Sequence, residues 1–158
     1  MPPSQIGRQI MSNEITPNNN TPEVDKLILD THILIWYVEG INLSESQVAL
    51  IDQMRDKASL YISAISIWEI ALLVSRERIA LSIDLDQWIQ KATSITGLTL
   101  LDLSISILTQ SCTLSNYEHK DPADRMIIAS ARSINAHLMT CDQKIIDYAD
   151  KGYLKIYK

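Results

Sequence analysis

Five short, largely apolar runs recur along this chain, at 27–29, 60–62, 98–101, 138–141 and 153–157, and helical patterns separate them. Runs of three to five residues are too short for a buried helix and read as strands. Strands that alternate with helices pair in parallel, because each crossover helix returns the chain to the same edge of the sheet. The expected fold class is therefore α/β: three layers, with a central parallel sheet of about five strands. In open sheets of this kind ligands bind beyond the carboxyl ends of the strands.

Local signals mark the helices. Ser44-Glu45-Ser46-Gln47 and Ser66-Ile67-Trp68-Glu69 both fit the capping-box pattern, the first opening a helix to about residue 57 and the second to about 76. The stretch 33–38 reads as a short helix, Asp84 caps another around Trp88, and a further one follows at 104–114. Asp121-Pro122 couples an N-cap to a proline at the first helical position and opens a helix to 136; a last short helix follows at 143–149. Residues 1–25 have no apolar periodicity, and Asn18-Asn19-Asn20-Thr21-Pro22 cannot bury enough surface to offset ordering. They are expected to form a disordered tail, within which Met11 offers an alternative start, and a single domain to span 26–158.

Composition excludes some classes. No apolar stretch approaches the roughly 20 residues that cross a bilayer, and the first residues lack a signal peptide's apolar core; a cytoplasmic protein with no membrane contact is expected. Cys112 and Cys141 form neither a disulfide framework nor a zinc spacing, and are expected to be buried thiols. A net charge of −5 argues against gripping nucleic acid by charge alone. A cation that neutralised part of the acidic count would weaken that objection, and Arg76, Arg78, Lys120, Arg125, Arg132 and Lys144 lie close to the acidic motifs.

Those motifs carry the chemistry. Asp30 ends the first strand, Asp142 ends the fourth, and Glu69, Asp121 and Asp124 fall at helix starts facing the same edge. Taken singly, each has a structural explanation, since Asp is a favoured N-cap, Glu69 completes a capping box, and Asp124 suits the positive end of a helix. Their shared edge is what such roles leave unexplained. Two carboxylates about 5 Å apart repel by roughly 3 kcal/mol at an effective dielectric of about 20, so convergent acids need a cation, a proton or a basic partner. Oxygen donors without a His/Cys cluster point to Mg2+ or Mn2+ rather than zinc, and such an ion can activate water and clamp a phosphodiester.

In order and spacing, Leu29-Asp30-Thr31-His32, the stretch 62–70 around Trp68-Glu69, His119-Lys120-Asp121-Pro122-Ala123-Asp124-Arg125 and Thr140-Cys141-Asp142 closely resemble PIN-domain ribonucleases. They look most like the VapC-type toxins of bacterial type II toxin–antitoxin systems, and the resemblance covers residues 26–158. It implies a PIN-like sandwich and a Mg2+- or Mn2+-dependent endoribonuclease that leaves a 3′-hydroxyl and a 5′-phosphate. It also implies a cognate antitoxin, a homodimer, and an acidic pocket of Asp30, Glu69, Asp121 and Asp142, with Asp124 as an added or alternative member. Arg125 and Thr140 are candidate substrate contacts. Arg125 could equally pair with a pocket acid, and Thr31 and Thr140 could equally serve turns or caps. His32, His119, Lys120 and Arg132 read as exposed or structural, and Trp36, Trp68 and Trp88 as core. The competing functions are a catalytically silent PIN domain acting as an interaction module, which four occupied acidic positions disfavour, and another aspartate-based phosphate enzyme. Asp30-Thr31-His32 lacks the second aspartate of a haloacid-dehalogenase-like phosphatase, and Asp25 lies too far ahead of Asp30 for a receiver domain.

Overall fold

Leu27–Leu29 (β1) opens the fold with three fully buried side chains. Thr31–Glu39 (α1) and Glu45–Asp56 (α2) lead to Leu60–Ser63 (β2); Ala64–Ser75 (α3) and Leu85–Thr93 (α4) lead to Leu98–Leu101 (β3). Ile105–Cys112 (α5) and Pro122–Ser133 (α6) return to His137–Met139 (β4), and Gln143–Asp150 (α7) leads to Ile156–Tyr157 (β5). This computed structural model describes residues 23–158. The tail expected over 1–25 lies outside the described residues except for its last three, of which Val24 packs on the core.

All four strand pairings are parallel, in the order β3-β2-β1-β4-β5. The chain winds outward from β1 through β2 to β3, then returns to lay β4 on the other side of β1. The strand order therefore reverses between β1 and β4, and a crevice opens there beyond their carboxyl ends. Strand alternation feeds two cores. Leu27, Leu29, Leu60, Ile62 and Met139 face Ile33, Leu34, Ile51, Met54, Ile70 and Trp88 of α1 to α4. Ile28 and Leu138 point the other way, onto Ile127 and Ile128 of α6 and Ile145 and Tyr148 of α7.

Several local expectations hold. Ser44 and Gln47 make the reciprocal capping box of α2, Asp84 caps α4, and Asp121 caps α6 with Pro122 behind it. Others need correction. The helix containing Glu69 begins at Ala64 with Ser63 as its cap, so Ser66-Ile67-Trp68-Glu69 lies inside the helix and is not a capping box. Cys112 and Cys141 are exposed rather than buried, the first ending α5 and the second sitting past the end of β4. Trp88 is fully buried and Trp36 packs against the core, but Trp68 is 54% exposed. Gly97, at φ 85°, lets the chain turn into β3 against α2, because a Cβ there would overlap the Arg55 carbonyl. No helix among the described residues is long and apolar enough to cross a membrane.

Candidate functional site

Parallel strands deliver two carboxylates to the crevice between β1 and β4. Asp30 follows β1 directly and caps α1, with Oδ1 accepting from the Thr31 amide at 2.8 Å. Its Oδ2 accepts from the Thr140 hydroxyl at 2.6 Å. The same Thr140 oxygen accepts from the Asp142 amide at 3.0 Å, so one side chain past the end of β4 ties both acidic segments together. Asp142 in turn caps α7, accepting from the Lys144 amide at 2.9 Å.

Helices deliver the other three. Glu69 projects from the second turn of α3, where no cap occupies it, and the structural explanation that the sequence offered for it disappears. Asp121 Oδ1 accepts from the amides of Ala123 and Asp124 at 2.9 and 3.2 Å, and Asp124 lies in the first turn of α6. Glu69, Asp121 and Asp124 each bring an oxygen within 4.8 Å of the others. The acids thus form two adjoining groups: a trio on α3 and α6, and the Asp30–Asp142 pair joined by Thr140.

Electrostatics record the crowding. Burial pushes the Asp124 carboxyl up to about 7, and the charges of Asp121, Asp142, Asp30 and Glu69 all add to the shift. Burial raises Glu69 as well, with Asp30 and Asp121 adding to it and the Thr31 hydroxyl opposing. Asp30 is raised chiefly by burial, against the hydrogen bonds from Thr140 and Thr31. Among the described residues the ion pairs involve only Asp52, Asp56 and Asp150, so no Lys or Arg compensates the five acids. An all-oxygen, uncompensated donor set fits a hard divalent cation.

The remaining candidates fall into place around this centre. Thr31 is fully buried and donates to the Ser66 hydroxyl at 3.0 Å, tying α1 to α3 beneath the pocket. Arg125 donates to the carbonyls of Tyr117 and Ser111 at 3.1 and 3.4 Å and lies over the Tyr117 ring; it makes no ion pair with a pocket acid. His32, His119 and Lys120 are exposed, and Arg132 donates to the Tyr148 hydroxyl. Sequence reasoning missed Tyr117. Its hydroxyl is buried with no hydrogen-bond partner, and burial raises its pKa, with Asp124, Asp142 and Asp121 adding to the effect. A lone tyrosine in a loop carries no motif, so nothing in the sequence could have singled it out.

A doubly covered parallel sheet with a carboxylate pocket at its topological switch point defines a class, and residues 27–151 match the PIN domain family. The chain belongs to that family. It is 29% identical over 120 residues to Ribonuclease VapC22 of Mycobacterium tuberculosis, a match covering 75% of this chain and 88% of that protein. Among solved structures it resembles VapBC2 from Rickettsia felis bound to a promoter DNA fragment, with a TM-score of 0.61 and 17% identity over 83% of this chain and 96% of that one. It also resembles FitAcB from Neisseria gonorrhoeae, with a TM-score of 0.59 and 20% identity over 84% and 96%. At these identities the structural likeness is one of fold.

Proposed function

We propose that this chain is a Mg2+- or Mn2+-dependent endoribonuclease, the toxin of a toxin–antitoxin pair that acts on cytoplasmic RNA and is held in check by a cognate antitoxin. The observation that carries the reading is the gathering of five uncompensated carboxylates from β1, α3, α6 and the β4–α7 turn. Membership of the PIN family and likeness to a ribonuclease support the reaction; likeness in fold to the VapBC2 complex supports the antitoxin.

Asp30, Glu69, Asp121 and Asp142 would hold the cation, with Asp124 joining the set through its closeness to Glu69 and Asp121. A divalent ion there supplies positive charge to the phosphodiester and acidifies water. The protein's own residues do the rest. Thr140 fixes the Asp30 carboxylate and the Asp142 backbone relative to each other, so the pocket is preorganised. Burial and the neighbouring acids disfavour the charged form of Asp124 when no cation is bound, and a cation there would favour it. Hydrolysis then leaves a 3′-hydroxyl and a 5′-phosphate. A second copy of the chain completes the assembly as a homodimer.

The test is cleavage of end-labelled RNA by the purified chain with Mn2+ or Mg2+, followed by assignment of the product ends. Cleavage abolished by EDTA and restored by added Mn2+ is expected. Inactivity with both metals, or cleavage indifferent to EDTA, would refute the reading.

A further inference from the structure

Beside the acidic pocket runs a cavity of about 300 Å³, lined by Trp68, Leu72 and Leu73 of α3, by Arg76 at its C-cap, by Arg78, and by Asp121, Pro122 and Ala123 at the start of α6. Glu69 and Asp121 line it too, so the groove and the carboxylate centre are continuous. Trp68, Leu72 and Arg76 stand four residues apart, as do Glu69 and Leu73, so these five share one face of the helix. Along this face an acid, an indole, an aliphatic floor and an arginine follow one another. From Glu69 to Arg76 the helix rises by roughly 10 Å at about 1.5 Å per residue.

Two features of the face lack a structural purpose. Trp68 leaves 54% of its surface exposed, although it sits on a helix whose opposite side supplies Ile70 to the core. Arg76 and Arg78 are exposed and belong to none of the ion pairs among the described residues, in a chain with net charge −5.

We infer that this groove is the substrate-binding track that leads into the acidic centre: a nucleobase of single-stranded RNA stacks on Trp68, and the neighbouring backbone phosphates engage Arg76 and Arg78. The assignment rests on the ribonuclease reading and extends it from the reacting phosphate to the flanking nucleotides. A strand whose scissile phosphate lies at the carboxylates must leave the pocket along one of its walls. Of those walls, this one offers an aromatic face for a base and then uncompensated positive charge for the backbone. That pairing of stacking platform and cationic groove is how proteins hold single strands with little sequence preference. A protein segment would be served by the aliphatic floor but has no general need of both arginines. Trp68, Arg76 and Arg78 are therefore positioning residues that set affinity for RNA and leave the carboxylate chemistry to the pocket.

Binding can be read without turnover. Fluorescence anisotropy of a labelled single-stranded RNA about a dozen nucleotides long, within the site sizes known for such grooves, is measured on the metal-free protein at several salt concentrations. Trp68→Ala is expected to weaken binding on the order of tenfold, and Trp68→Tyr to recover most of the loss, because stacking needs an aromatic face. The Arg76→Gln/Arg78→Gln pair should reduce the slope of log K against log salt by about 1.4, at about 0.7 per phosphate contact on a single strand. A string of abasic sites in the RNA should erase the difference between wild type and Trp68→Ala. Cleavage assays on the same variants separate the two readings. RNA binding through Trp68 without any cleavage by the wild type would defeat the nuclease assignment and leave the track standing. Normal cleavage with unchanged RNA affinity in Trp68→Ala would overturn the track and leave the nuclease. Equal RNA affinity in all variants, with a fall in sedimenting mass in Trp68→Ala, would also overturn it and assign the face to a second copy of the chain.

Discussion

Asp30 spends one carboxylate oxygen on the Thr31 amide and the other on the Thr140 hydroxyl, whereas Asp142 spends only Oδ1, on its cap. The difference matters for mutation. Asparagine caps a helix about as well as aspartate, so Asp142→Asn keeps its structural duty and loses only its charge. It should nearly abolish metal-dependent cleavage while leaving the metal-free melting temperature equal or higher, since like-charge repulsion is relieved. Glu69→Gln should do the same, because Glu69 caps nothing. Loss of melting temperature with activity retained in both would return these acids to a purely structural role. Asp124 gives the pocket a pH dependence. Its carboxyl moves from an ordinary 3.8 to about 7, so between those values the folded chain holds a proton that the unfolded chain has released. The Asp124 contribution to metal-free stability therefore falls as pH rises through that window, with Asp30 and Glu69, also raised, acting in the same direction and Glu39, which is lowered, in the opposite one. Melting scans from about pH 4 to about pH 7 should show wild type losing stability relative to Asp124→Asn as pH rises; an equal slope in the two proteins would contradict it.

At the scale of elements, legibility in the sequence followed the physics of burial. Buried parallel strands are nearly continuous aliphatic runs, so β1 and β2 could be placed from the sequence almost to the residue, and Asp30 at the end of β1 followed; β3, a half-exposed edge strand, was legible through its leucines alone. Asp121-Pro122 and Ser44-Glu45-Ser46-Gln47 were readable because caps are local chemistry. Ser66-Ile67-Trp68-Glu69 misled because the same spacing occurs inside a helix, and only the chain trace reveals that α3 already began at Ala64. The outward turn of Trp68, the surface position of both cysteines and the anchoring of Arg125 on the Tyr117 carbonyl depend on which face a neighbouring element covers. No local pattern encodes that. Gly97 was equally invisible, since its role is set by α2. Its positive φ alone would cost an alanine about 1–2 kcal/mol, and the overlap with the Arg55 carbonyl adds to that. Gly97→Ala should lower stability in urea by at least about 2 kcal/mol while the activity of the folded fraction is kept, because β3 lies two strands from the Asp30 end of β1. Unchanged stability would mean that the α2–β3 approach is looser than described.

For the molecule as a whole, the apolar surface left over bears on where the proposed homodimer would form. In the apolar stretches near 33–38 and 66–89, Ile33, Leu34, Ile70 and Trp88 turn into the core, while Trp68 and Ile83 stay exposed. Large apolar side chains are also exposed at Ile105 and Leu108 of α5, with Ile105 82% exposed. Ile105 and Leu108 stand three residues apart on one helix face, and this exposed apolar surface is the one proposed for self-association. Sedimentation of the purified chain at micromolar concentration should give about twice its 17.8 kDa mass, and Ile105→Glu should halve that value without unfolding the protein. A monomeric wild type would disprove the homodimer; a dimer indifferent to Ile105→Glu would exclude this face.

The hydrogen bond from Thr140 to Asp30 spans 110 residues, and it joins the first strand of the sheet to the fourth. During synthesis β1 leaves the ribosome early and carries its aspartate with it. Glu69 follows with α3, then Asp121 and Asp124 with α6, yet the crevice has only one wall until β4 docks beside β1. A partly made chain therefore presents scattered acids and no pocket. Under the proposed function, this order of assembly ties activity to near-complete translation, and gives the proposed antitoxin time to meet the finished domain.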